Sequence, residues 1–312
     1  MIRLRAMSKT KPWLATAALL LVLLGGGAVV SCGGGGRPDH WFGIYSGTPG
    51  CPTLGGSTTY GNPQNTLWQF NSWNRGPPPH VRCVTDPLGS GAIVQAFSIP
   101  DSDRIGNGSP RGDSFANYPF ASGMDRYISI PMYTPASRDA PGAGNVVLPS
   151  NCGSSGPTFF LFSQLEWPGE EPSPALRVTC TNSGGAVRWA IDCCNKAGEV
   201  IWTGPPIDNA WHDLILHLHF ESGSGRSNGW LQVWHDGVLQ TLRNGQTTMG
   251  ELHFLPAGYN YTALALDSYR SNVGCSVYRF MCGTYTLYHG AAAIGPTYAS
   301  VARTISDPPH GP

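Results

Sequence analysis

The sequence has 312 residues, with 19 lysines and arginines against 19 aspartates and glutamates, so its formal net charge is zero. Charged residues are only 12% of the chain, which leaves no basic footprint for nucleic acid. With 41 glycines and 27 prolines, the composition points to short strands joined by long ordered loops.

The first element is an export signal. Arg3, Arg5, Lys9 and Lys11 form a basic n-region, and the apolar run Leu14 to Val30 forms the h-region. The run ends in Val29-Val30-Ser31-Cys32, followed by four glycines. This junction resembles a bacterial lipoprotein cleavage box, with Cys32 as the lipidated first residue of the mature protein. An uncleaved membrane anchor and an ordinary signal-peptidase cut are the alternatives. The expected layout is a signal over 1–32, a Gly/Pro-rich tether over 33–60, one β domain over 61–302 and a tail over 303–312.

Setting Cys32 aside leaves Cys51, Cys83, Cys152, Cys180, Cys193, Cys194, Cys275 and Cys282. An even number in an exported chain points to disulfides, with a connectivity that sequence alone does not fix. Cys193 and Cys194 are adjacent, so different partners are expected for them. No Cys-x-x-Cys pair occurs and the histidines stand at non-ligand spacings, so no metal and no cofactor are assigned.

Strand signals begin weakly, at Thr66 to Phe70, Val81 to Val84 and Ala92 to Ile99. Tyr127 to Tyr133 follows, and then a long loop, Arg138 to Pro157, with Cys152 placed to pin it. Thr158 to Trp167, Ala175 to Thr181 and Ala186 to Ile191 are rich in β-branched and aromatic residues, as strands are. Asp213 to Phe220 alternates clearly: Leu214, Leu216, Leu218 and Phe220 share one face, and Ile215, His217 and His219 share the other. Trp230 to His235 and Val238 to Leu242 flank Asp236-Gly237, a strong two-residue hairpin turn. Thr262 to Tyr269, Val277 to Met281 and Thr284 to Tyr288 complete the set. No window holds a helical period beyond two turns. The pattern predicts an all-β sandwich or jelly roll.

Several blocks, in order, resemble heparin-lyase-I-like polysaccharide lyases. They are Phe162-Ser163-Gln164-Leu165-Glu166, Ser173-Pro174-Ala175-Leu176, Trp211-His212-Asp213 and His217-Leu218-His219-Phe220. Gly229 to Gly237, Tyr269-Arg270, Thr286-Leu287-Tyr288-His289 and Ile294 to Tyr298 follow, and Arg111-Gly112-Asp113 matches more loosely an Arg-x-Glu strand of that family. The resemblance implies a concanavalin-like β-jelly-roll sandwich with a glycan in the groove of its concave sheet. It also implies β-elimination on a uronic acid: a base takes the C5 proton, an acid protonates the leaving oxygen, and donors steady the carboxylate as charge builds. Carried over, Gln164 is a carboxylate donor, Arg111 a second donor or organiser, and Tyr269 the acid or base. Glu166 stands where related alginate lyases have the His of Gln-x-His. Ala265 and Asp267 stand at the Lys and Gly of their Lys-x-Gly-x-Tyr pattern.

His217 and His219, opposite the leucine face, are candidates for substrate binding, as are Arg270 and the sugar-stacking Trp230. Blander roles stand beside each: a packed Tyr269, a Gln164 bonded to a neighbouring loop, an Arg111–Asp113 pair, an ordinary surface histidine pair. Two readings remain open. One is a secreted or lipid-anchored polysaccharide lyase; the other is a non-catalytic glycan-binding or structural jelly roll that has lost the lyase residues. Both place the chain outside the cell or on its surface with a polysaccharide partner, and the lipoprotein reading adds a membrane contact through Cys32.

Overall fold

The computed structural model describes residues 40–42, 68–69, 81–101, 111–118, 120–153, 155–166, 176–193, 199–221, 228–254, 262–271, 273–290 and 292–302. All of these residues belong to one compact unit within Gly35–Pro312. The expected signal, Cys32, Cys51, Cys194 and most of the tether lie outside the described residues.

In chain order the strands are β1 (His40–Phe42), β2 (Trp68–Gln69), β3 (Val81–Thr85), β4 (Ile93–Pro100), β5 (Arg111–Tyr118) and β6 (Met124–Tyr133). Next come β7 (Phe160–Glu166), β8 (Leu176–Ser183), β9 (Ala186–Cys193), β10 (Val200–Pro206), β11 (Trp211–Phe220) and β12 (Gly229–His235). The last are β13 (Val238–Leu239), β14 (Met249–Leu252), β15 (Thr262–Arg270), β16 (Thr284–His289) and β17 (Ala292–Gly295).

They form two antiparallel sheets. One is ordered β13-β12-β11-β6-β16-β4-β3, with β14 on β12 and β17 between β1 and β6; the other is ordered β10-β9-β8-β7-β15-β5-β2. This is an all-β jelly-roll sandwich.

The alternation of β11 explains how the sheets meet. Leu214, Leu216, Leu218 and Phe220 are all at most 2% exposed and join Leu231 and Val233 of β12 in the core. Leu165, Leu176, Val178, Leu264 and Leu266 of the facing sheet close on them. Burial of such side chains is the main favourable term in holding the layers together, at roughly 1.5–3 kcal/mol each. Asp236 at φ 49° and Gly237 at φ 79° make the tight turn from β12 to β13, two left-handed residues as a primed hairpin turn requires.

Covalent links fasten the loops. Cys152 in the long loop is bonded to Cys180 of β8, and Cys275 is bonded to Cys282. Cys83 and Cys193 are also disulfide-bonded. One expected strand is absent: Val277 to Met281 falls instead in two helical turns, α1 (Gly274–Val277) and a 3-10 turn (Arg279–Met281). The Cys275–Cys282 bridge spans seven residues, too few for an extended run, and Val277 and Phe280 point to solvent.

Candidate functional site

β15 lies between β5 and β7, and the register across these three strands assembles a polar patch. Tyr269 is paired with Arg111, Asp267 with Asp113, Ala265 with Gln164 and Ala263 with Glu166. Residues directly opposite in an antiparallel ladder share a face. Their neighbours Leu264, Leu266 and Leu165 point into the core, so the patch lies on the outward face of the seven-stranded sheet.

Arg111 is its hub. One guanidinium nitrogen lies 2.5 Å from Glu166 Oε1 and 3.7 Å from Asp267 Oδ2. The guanidinium carbon is 4.9 Å from the centre of the Tyr269 ring, a cation–π contact. The ring is held on another side by Phe159, edge to face at 5.0 Å. Gln164, 3% exposed, donates through Nε2 to Asp267 Oδ2. The row continues across β8 and β9, where Arg177, opposite Gln164, makes a two-pronged bond to Asp192 at 2.6 and 2.5 Å.

The four residues expected to do chemistry, Gln164, Tyr269, Arg111 and Glu166, therefore stand together. The arrangement adds Asp267, which is fully buried. Its carboxylate receives the Gln164 amide and faces Arg111, the two donors a uronate carboxylate would use. Beside Tyr269, Arg111 thus meets the carboxylates of Glu166 and Asp267.

The four expected substrate-binding residues stand elsewhere. His217 and His219 are on β11 and Trp230 is on β12, all in the other sheet. They form an aromatic row on its outer face: Tyr127 stacks on His217 at 3.8 Å, and His219 lies parallel to Trp230 at 5.7 Å. His217 Nδ1 is 3.0 Å from Gln232 Oε1, and burial pushes its imidazole below the ordinary histidine value. His219 Nδ1 is 3.1 Å from Asp125 Oδ1. Arg270 follows Tyr269 in sequence, but its buried guanidinium donates to the Met281 and Gly283 carbonyls, at 2.7 and 2.5 Å. That contact anchors the disulfide-closed turn.

No protein-family model matches the chain, and no curated protein matches it in sequence. Among solved structures it is similar to an endo-β-1,4-glucuronan lyase from the fungus Trichoderma reesei, at a TM-score of 0.52 and 12% identity, over 85% of this chain and 98% of that one. An alginate lyase from Chlorella virus is similar at a TM-score of 0.41 and 9% identity, over 70% of this chain and 89% of that one. The carbohydrate recognition domain of Emp47p is similar at 0.43 and 8%, over 83% and 95%. The chain thus has the jelly-roll fold on which that glucuronan lyase is built.

Proposed function

We propose that this chain is a glycan-binding jelly roll that holds a polysaccharide on the outward face of its seven-stranded sheet without cleaving it. The observation that carries this reading is Asp267. Its buried carboxylate accepts from Gln164 and faces Arg111, the two donors that the lyase reading assigns to a uronate carboxylate. Two like charges about 4 Å apart repel by about 4 kcal/mol at an effective dielectric near 20. Gln164 and Arg111 are already engaged with Asp267 and Glu166, so a uronate would have to displace these carboxylates to reach its donors. A neutral glycan meets no such barrier, and Tyr269 and the polar row offer it a ring and hydrogen-bonding groups.

One observation favours the lyase reading: Arg111, Gln164 and Tyr269 stand together on a fold shared with a glucuronan lyase. In that mechanism Tyr269 moves the proton and Gln164 steadies the carboxylate. The two are separated by a panel of glucuronan, alginate and neutral β-glucans, scored for binding and for ultraviolet-absorbing unsaturated product. The expected result is retention on a neutral glycan and no product from any uronate. Asp267→Asn is expected to raise affinity for glucuronan by about tenfold or more, because it removes the repelling charge at constant volume. Unsaturated product from the wild type, falling by about 10²-fold in Tyr269→Phe, rejects binding alone and selects the lyase.

We also propose the layout read from the sequence: a signal over 1–32 lipidated at Cys32, a tether over 33–60, the jelly roll over 61–302 and a short tail. The support is the Val-Val-Ser-Cys junction after an uncharged apolar run. A fatty-acid probe is expected to label the wild type and not Cys32→Ser; equal labelling removes the tether.

A further inference from the structure

Where β11 begins and the β12–β13 hairpin turns, three side chains outside the patch face one point. His212, His235 and Asp236 each place one donor atom within 4.8 Å of the other two. His212 Nδ1 lies 2.8 Å from Asp236 Oδ2, and His235 Nδ1 lies 3.4 Å from the same oxygen. Asp236 is fixed by the hairpin turn and by its other oxygen, which accepts the Asp213 backbone N–H at 2.9 Å. The register that sets Leu214 opposite His235 brings His212 diagonally beside it. Behind the imidazoles stand the buried rings of Trp189 and Trp202.

The second ring nitrogen of His212 poses a chemical problem. Nε2 lies 2.9 Å from Asp208 Oδ1, so both nitrogens of one imidazole face carboxylates. A neutral ring has one N–H and one lone pair. Whichever nitrogen lacks the hydrogen turns a lone pair on a carboxylate oxygen, and the two repel. Either a second proton or a metal cation resolves this. His235, 7% exposed, turns Nδ1 toward Asp236 as a further donor, and its Nε2 has no hydrogen-bond partner among the described residues.

We propose that His212 Nδ1, His235 Nδ1 and Asp236 Oδ2 form a site for one divalent transition metal of the zinc class, with Asp208 as the positioning residue. Donors in a tetrahedral zinc site stand about 3.3 Å apart; two of the three separations here are 2.8 and 3.4 Å, and all three donors lie within 4.8 Å of one another. Two imidazoles suit zinc, cobalt, nickel or copper, whereas calcium and magnesium take oxygen ligands. Asp208, accepting from His212 Nε2–H, reproduces the carboxylate–histidine–metal relay that fixes a ligand's tautomer. The side chains of Asp208 and Asp236 are 59% and 32% exposed, which gives the ion a route in and a water its fourth position. The bound ion ties the start of β11 to the turn after β12, apart from the polar patch on the facing sheet.

The test strips the oxidised protein with chelator and titrates it with Zn²⁺, Co²⁺ and Ca²⁺. One equivalent of Zn²⁺ or Co²⁺ is expected per chain, the cobalt form showing visible bands of tetrahedral coordination. Asp208→Asn, at an exposed position, is expected to weaken uptake by about 10–100-fold. The double variant His212→Gln/His235→Gln is expected to abolish it. No stoichiometric uptake by the wild type overturns the proposal, and His212 then carries two protons. Uptake unchanged in Asp208→Asn and in the double variant, or preference for Ca²⁺, also overturns it.

Discussion

Removing the Cys152–Cys180 bridge, as Cys152→Ala/Cys180→Ala, is expected to lower stability by about 3–4 kcal/mol, against about 2 kcal/mol for Cys275→Ala/Cys282→Ala. The bridges close 28 and seven residues of chain. In the chain-entropy account, the longer loop frees more conformations in the unfolded state when it is cut. Burial acts in the same direction, since Cys152 and Cys180 are 3% and 0% exposed. Losing the first bridge also releases the long loop from β8, whereas the turn closed by the second is still held by Arg270 and by the buried Met281. Urea unfolding of the three proteins gives the comparison. Equal losses, or the reverse order, reject this ranking.

His289 is expected to contribute a distinct step to the acid limb of the stability profile. It is fully buried, its Nε2 lies 3.3 Å from the Asp267 carbonyl, and Phe97 packs edge-on against its ring at 5.0 Å. Burial holds its pKa down at about 4, well below the ordinary histidine value. Above about pH 6.5 the folded and unfolded chains both carry neutral imidazole, and this group adds no pH dependence. Between about pH 6.5 and 4 the unfolded chain takes up a proton that the native core refuses, so stability falls as pH falls. Below about 4 both states are protonated and the contribution is flat. At about 1.4 kcal/mol per pH unit the total loss is about 3 kcal/mol. His289→Leu is expected to lose that much less on going from pH 7 to pH 4. Parallel profiles for wild type and variant would falsify the assignment.

Much of the sandwich was legible because one periodicity is unambiguous. The leucine face of β11 and the Asp236-Gly237 turn need only local rules, and both stand where those rules put them. What alternation cannot say is which sheet a strand joins. The alternation of β11 puts His217 and His219 on its outer face, but that face belongs to the sheet opposite Gln164. The strand Val200–Pro206 has no clear signal in the sequence because it carries Pro205 and Pro206; it is tolerated at the edge of its sheet, where the missing N–H groups break no interior ladder. Asp267 was visible as a residue but not as a buried carboxylate between Gln164 and Arg111, since that depends on neighbours about 100 positions or more away in sequence. His212, His235 and Asp236 share no ligand spacing, and only the β11–β12 register unites them.

The position of β16 in the strand order governs how the protein comes together in time. β4 is bonded to β3 on one side and to β16 on the other, and across that second seam Ser98 meets Thr286, 188 residues further on. Until residues 284–289 are in place, β4 has no partner on that edge. Closing loops of this size before any contact rewards them makes assembly slow. For that interval the exposed edge is a template for pairing with other chains. The seam that completes the larger sheet is thus also the step at which a crowded solution competes with the native strand.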